Sequence, residues 1–260
     1  MEPEPFEPEH FAQLAGAAPW VRRVVSLAEI DSTNAEALRL AAAGEPAGLV
    51  VVADRQTAGR GRLGRSWWSG AGTSLLASWL LRPSLPVDQW PLLTLLTGVA
   101  AARAASVAGG VTVRLKWPND LLAPGGKLGG ILAESDGRGA VVIGVGINVR
   151  QTEFPAELLG VATSLVAEGG RVPDRAWLLA ALLSSFGGRM DSPGDAIEEY
   201  RSLCTTIGRR VRVERTSAEP IEGTAAGVSD AGALIVDTPS GRVAVSAGDV
   251  VHTRDAAAAD

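Results

Sequence analysis

The chain has 260 residues, 46% of them apolar and 20% charged, with a formal net charge of −5. This suits an ordinary globular chain with room for one large core, or a large and a small one, and the acidic balance argues against a general nucleic-acid binder. Cys204 is the single cysteine and His10 and His252 are the only histidines, which excludes an intrachain disulfide framework and leaves little to build a zinc site from.

Residues 1–19, which open MEPEPFEPEH, read as a loosely ordered segment, and an acidic, proline-rich start is the opposite of an export signal. The apolar runs are interrupted well short of the ~18 residues a membrane span needs, so the expectation is a cytoplasmic protein. VRRVVSLAEI (21–30) predicts a strand. Asp31 and Ser32 cap a helix that runs to about Ala43 and stops at Gly44. A buried strand follows at 49–54. The glycine-rich stretch 56–73 predicts a long loop, and SLLASWLLR (74–82) a strand ended by Pro83. Residues 87–108 predict a buried helix rich in alanine and leucine. Thr112–Lys116 predicts a strand running into a WPND turn, and 128–135 with 140–149 a hairpin-like pair about SDGRG. Two helices are expected near 173–190 and 193–203. Beyond Thr205, short β segments separated by turn signals predict a small antiparallel barrel of about fifty residues. The tail, 255–260, reads as frayed.

The chain has only two lysines, Lys116 and Lys127, against 22 arginines, and only three asparagines, Asn34, Asn119 and Asn148. All five fall in short distinctive segments: DSTN, KWPND, GGKLGG and GVGIN. A coding bias accounts for scarce lysine but not for where the survivors stand. Arginine is no substitute for a compact point charge, and few side chains match a primary amide's paired donor and acceptor. The loop GRGRLGR (59–65) alternates arginines with glycines. Glycines let the backbone approach a ligand, and arginines bring forked donors for carboxylate or phosphate. It lacks the Gly-Lys-Ser/Thr ending of a Walker A loop. Arginine–glycine segments also occur in RNA-binding tails, but this one lies between two buried strands. Lys116 stands at a strand end beside Asn119 and Asp120, where lysine suits phosphate and the aspartate suits Mg²⁺. A plain turn is the bland alternative. Lys127, between glycine pairs, has an open path inward. Ser32, Thr33 and Asn34 suit a neutral, planar, polar group, although Asp-Ser-Thr is often only a cap. Trp67 or Trp68 could cover an aromatic base.

DSTN, Gln56 with AGRGRLGR, KWPNDLL, KLGGILAE and VIGVGIN occur in this order, and together they resemble the bacterial biotin protein ligase family over about residues 26–150, with the barrel-like tail at 205–254 also in keeping. The resemblance implies an α+β fold: a central mixed β-sheet backed by helices, of the class II synthetase-like biotin–lipoate ligase type, with a small C-terminal SH3-like barrel. It implies a catalytic domain at 20–204 that binds biotin and ATP, and a C-terminal domain at 205–254. The implied activity uses biotin, ATP and Mg²⁺ to make biotinyl-5′-AMP and pyrophosphate. Biotin then passes to one lysine of a biotin carboxyl carrier domain of an acyl-CoA carboxylase.

Carried over motif by motif, Ser32, Thr33, Asn34, Gln56, Arg60, Gly61, Arg62 and Lys127 bind biotin. Arg65, Trp67, Asn119 and Asn148 serve the nucleotide. Lys127, Lys116, Arg62 and Asp120 act in catalysis, with Asp120 also the metal ligand. Many relatives carry an N-terminal DNA-binding domain, and the short acidic segment before the ligase region cannot form one, so no repressor role and no DNA or membrane partner is expected. A lipoate–protein ligase or acyl transferase of the same fold, and a non-catalytic biotin sensor, are the rival readings.

Overall fold

The computed structural model describes residues 16–215 and 218–252. Most of the segment expected to be loose at the start, and the tail expected to fray, lie outside the described residues.

One sheet has seven strands: β1 (Arg23–Ile30), β2 (Leu49–Gln56), β3 (Ser74–Leu81), β4 (Arg114–Lys116), β5 (Asp120–Ala123), β6 (Gly126–Ser135) and β7 (Val141–Asn148). Their order across the sheet is β1-β2-β3-β7-β6-β5-β4. β1 and β2 run parallel and every other neighbouring pair is antiparallel, so the sheet is mixed. Four helices accompany it: α1 (Thr33–Ala42), α2 (Pro91–Gly109), α3 (Arg175–Asp191) and α4 (Pro193–Leu203).

Side chains alternate across a strand, and here each face meets different helices. Leu49 and Val51 of β2 pack with Ala37 and Ala41 of α1. Val50 and Val52 belong to the larger core with α2 and α3. Central strands covered on both faces read as unbroken apolar runs, which is why LVVV and SLLASWLL carry no polar alternation. The stretch Val87–Gly109, which holds α2, is long and apolar enough to cross a membrane, yet 78% of its apolar window is buried, as befits the central helix of a core.

Two elements differ from expectation. The helix expected from residue 87 begins at Pro91, after a short 3-10 turn at Val87–Gln89. Proline is favoured at a first helical position because its missing N–H has no partner there anyway. β5 was not foreseen, because Asn119-Asp120 reads as a turn. The turn is real but tight, and Lys116 pairs directly with Asp120 across the β4–β5 hairpin.

The second sheet is antiparallel and holds β8 (Arg210–Arg215), β9 (Ala218–Val228), β10 (Leu234–Thr238), β11 (Gly241–Val245) and β12 (Asp249–His252) in the order β11-β10-β9-β8-β12. The last expected segment thus divides into two strands. They take opposite edges of the five-stranded sheet, in the region where a small antiparallel β domain was expected. The two sheets meet along the KWPND turn. Thr205 N–H donates to Leu115 O at 2.7 Å, Trp117 N–H to Thr206 Oγ1 at 3.1 Å, and the Trp117 indole N–H to Gly232 O at 3.0 Å. Trp117 is fully buried in this seam.

Two predictions follow from buried charge. Arg175, 4% exposed, donates to Asp54 Oδ1 at 2.7 Å. Arg175→Met leaves Asp54 uncompensated and should lower unfolding free energy by about 3 kcal/mol, read as a fall in the urea midpoint. At the seam, burial, then the charges of Lys116 and Arg209, push the His252 imidazole below its ordinary 6.5. The unfolded chain then takes up the proton first, so stability should fall as pH drops below about 6.5, and His252→Leu should flatten that slope in denaturation series across pH.

Candidate active site

The face of the seven-stranded sheet that carries α1 also carries a cavity of about 340 Å³, set beyond the N-terminus of that helix. Of the residues singled out from sequence, Ser32, Thr33, Asn34, Gln56, Arg60, Gly61, Arg62, Arg65, Trp67, Asn119, Lys127 and Asn148 line it. Lys116 and Asp120 do not.

The floor is polar and tightly bonded. Gln56 Oε1 accepts from Thr33 N–H at 2.7 Å and lies 3.0 Å from Thr33 Oγ1, whose proton is left for Ser78. Ser78, buried on β3, lies with its hydroxyl 2.7 Å from Thr33 Oγ1 and donates to Asn34 Oδ1 at 2.6 Å. Asn34 Nδ2 donates to Leu132 O at 3.1 Å and to Glu134 at 2.8 Å. The amide that sequence reasoning reserved for a ligand is therefore spent on scaffolding. The two glycines of GVGIN explain themselves here. A Cβ on Gly144 would occupy the place of Asn34 Oδ1, and one on Gly146 would lie 2.6 Å from the Trp67 ring. Asn148, the amide that ends β7, is also held: Nδ2 donates to Thr163 O at 2.9 Å, and Oδ1 is 3.3 Å from Ser74 Oγ.

The arginine loop closes on itself as a small hairpin, with Gly61 N–H to Arg65 O at 2.6 Å and Trp67 N–H to Gly59 O at 2.9 Å. Each arginine has its own tether. Arg60 pairs with Glu134 at 3.2 Å and Arg65 with Asp249 at 3.2 Å. Arg62 reaches only neutral acceptors, Asn119 Oδ1 at 3.2 Å and Gly248 O at 3.1 Å. Burial pulls the Arg62 guanidinium below its ordinary range, against Asp249 and Asp120. It nonetheless stays charged near neutral pH, so the pocket wall holds a cation whose hydrogen bonds go to neutral acceptors, with Asp249 and Asp120 acting on it only through space.

Lys127 joins these cations from β6, with Nζ 2.6 Å from Asp120 Oδ1. Lys116 stands across the hairpin from Asp120 and backs this pair. The remaining wall is apolar. Trp67 lies across Gly146 with its indole N–H buried and without a hydrogen-bond partner, and Trp68 packs at 6.5 Å against Phe154. Leu158, Val161 and Ala162 complete that side.

Sequence reading missed Ser78, Glu134, Asp249 and the 154–162 wall. Ser78 sits in an apolar run with only its polarity to mark it. Asp249 comes from the second sheet, and no local pattern places it beside Arg65. No three His, Cys, Asp or Glu side chains converge as a metal site among the described residues. With Asp120 engaged by Lys127, the expected metal ligand is here an ion-pair partner.

A polar floor, a planar aromatic wall and a rim of four cations define a pocket for a small molecule with a neutral polar head and an anionic end, on a mixed α+β sheet. Comparison with known proteins agrees. Residues 27–149 match the model of the biotin/lipoate A/B protein ligase family, and residues 206–253 that of the biotin protein ligase C-terminal domain. The biotin--[acetyl-CoA-carboxylase] ligase of Mycobacterium tuberculosis is 42% identical over 253 residues, covering 93% of each chain. The bifunctional ligase/repressor BirA of Bacillus subtilis is 39% identical over 85% of this chain and 71% of its own. Among solved structures, the Aquifex aeolicus biotin protein ligase in complex with biotin and ATP superposes with a TM-score of 0.77 at 30% identity, covering 90% of this chain and 99% of that one. The chain belongs to the biotin/lipoate protein ligase family.

The glycine seats are directly testable. Gly146→Ala should displace Trp67 and alter its fluorescence, with a cost of about 1–3 kcal/mol for overpacking. Unchanged Trp emission and an unchanged melting temperature would contradict the close contact.

Proposed function

We infer that this chain is a biotin–protein ligase. It joins biotin to ATP as biotinyl-5′-AMP with release of pyrophosphate. It then passes the biotinyl group to a lysine amine of a biotin carboxyl carrier domain, with AMP leaving. The observation that supports this best is the union, in one cavity, of a neutral hydrogen-bonding floor with Arg60, Arg62, Arg65 and Lys127 at its rim. A lipoate ligase shares the fold, but the Mycobacterium tuberculosis and Aquifex aeolicus proteins described above are named as biotin ligases.

In the first step the biotin carboxylate oxygen attacks the α-phosphorus and the bond to pyrophosphate breaks. Charge gathers on the phosphoryl oxygens, and cations already in place stabilise it without reorganising. Lys127 is the residue suited to the junction of carboxylate and α-phosphate, where an anion would take over from Asp120. Arg62, lacking a carboxylate partner, suits the same charge. Ser32, Thr33, Asn34 and Gln56 hold or shape the head-group end. Arg60 and Gly61 cover it. Arg65, Trp67, Asn119 and Asn148 form the nucleotide end, where the free indole N–H of Trp67 is available to an acceptor. Magnesium travels with the triphosphate, since it keeps most of its waters and needs only one or two carboxylates beside phosphate oxygens. Asp120 would be the carboxylate to hold it once an anion takes its place on Lys127, and Lys116 would add a further countercharge.

The adenylate is a mixed anhydride and must be kept from water until the acceptor arrives, which is the task of the arginine loop. In the second step the acceptor amine attacks the carbonyl carbon, loses a proton and expels AMP. Free lysine is mostly protonated near pH 7, so this step needs a deprotonated amine at the site. Because ATP is consumed, the reaction belongs in the cytoplasm.

Incubation with MgATP, biotin and a carrier domain should yield biotinyl-AMP and a biotinylated carrier by mass spectrometry, with lipoate competing poorly in pyrophosphate exchange; lipoate preferred over biotin would overturn the assignment. Lys127→Ala should cut adenylate formation by about a hundredfold or more while weakening biotin binding far less. Equal losses in both would contradict a transition-state role.

A further inference from the structure

Six side chains form an unbroken path around the cavity, from the end of β2 to the base of the arginine loop. Gln56 Oε1 accepts the Thr33 N–H, the Thr33 hydroxyl donates to Ser78, Ser78 donates to Asn34, Asn34 donates to Glu134, and Glu134 pairs with Arg60. We propose that Ser78 and Glu134 are positioning residues that couple occupancy of the pocket floor to closure of the arginine loop. This rests on the ligase reading for its ligand, the biotinyl adenylate.

The path has a defined direction. Asn34 Oδ1 can only accept, so the single Ser78 proton is committed to it. The two hydrogens of Asn34 Nδ2 are taken by Leu132 O and Glu134. A flipped amide would set an oxygen against those two acceptors, so the Asn34 side chain has one orientation. Gly144 provides the room for it. The same Glu134 oxygen then receives Arg60 at 3.2 Å. Among the described residues, Glu134 is the only ion-pair partner of Arg60, whereas Arg62 and Arg65 are tethered to Gly248 and Asp249 beside β12. The loop thus straddles two anchors, and the one on its ligand side ends a relay that begins at Thr33 and Gln56. A ligand that bonds either residue pulls on that relay. Linked hydrogen bonds polarise one another, so the Glu134–Arg60 tether responds without touching the ligand.

The test uses the full chain. Hydrogen exchange by mass spectrometry reads peptides covering 57–68, with and without biotin and MgATP, in Glu134→Gln, Glu134→Asp and Ser78→Ala, with Arg242→Gln as a remote ion-pair control. Adenylate dissociation is timed in parallel. Glu134→Gln keeps an acceptor for Asn34 but loses the charge that holds Arg60. Loop exchange and adenylate loss should each rise about threefold, the scale of a half-exposed ion pair, with Glu134→Asp closer to wild type. Ser78→Ala, which contacts no loop residue, should shift the loop in the same direction. The proposal is overturned if Ser78→Ala leaves loop exchange at the wild-type value, or if exchange rises equally throughout the protein. Failure of the wild-type chain to form any adenylate would instead refute the ligase reading. The unliganded exchange series would still decide the coupling.

Discussion

Arg62 carries its charge into the pocket wall with an amide oxygen and a carbonyl for partners, and the site depends on that imbalance. A carboxylate at that position would neutralise it and compete with any anionic substrate. Neutral acceptors fix the guanidinium and leave its charge outstanding. The neighbouring cations are arranged differently. Arg60, Arg65 and Lys127 are each held by one acid, from β6, from β12 and from β5. An incoming anion can exchange with these acids, and the half-exposed pairs are weak enough to be exchanged. The rim thus sets one cation without a hydrogen-bonded acid beside three that are each ion-paired.

This arrangement needs a surface on which backbone can be approached closely. The mixed sheet supplies it by dividing its faces. Ile143 and Ile147 of β7 enter the core under α2, while Gly144, Gly146 and Asn148 turn to the cavity. On the cavity face β7 has no side chain at Gly144 and Gly146, so Asn34 and Trp67 can lie against the strand itself. A polar helix start and a flat ring meet there on a surface that a single methyl group would spoil. The second sheet contributes through Gly248 and Asp249, which hold the far side of the arginine loop, so the pocket is shaped by both sheets.

Much of this was legible in the sequence because the informative residues are rare and local. Two lysines, three asparagines and an arginine–glycine loop stand out in a chain otherwise short of the first two residue types, and most of the marked residues line one cavity. Their roles were less legible. Asn34 reads as a ligand amide but is consumed by Ser78, Leu132 and Glu134. Asp120 reads as a metal ligand but engages Lys127. A motif records which groups are present and not which of their lone pairs and protons are already in use.

By itself the sequence determined most of the strand and helix spans, the short β segments after Thr205 and the residues to be gathered, because periodicity, caps and turn chemistry act over a few residues. Only the tertiary structure decided that Lys116 and Asp120 stand behind the pocket, that Ser78 and Glu134 link its floor to its loop, and that Asp249 meets Arg65. Those contacts join positions 44 to 184 residues apart, and no local pattern encodes a partner at that distance. They exist because the strand order sets β3 and β6 on either side of β7, and the seam along the KWPND turn brings β12 to the arginine loop.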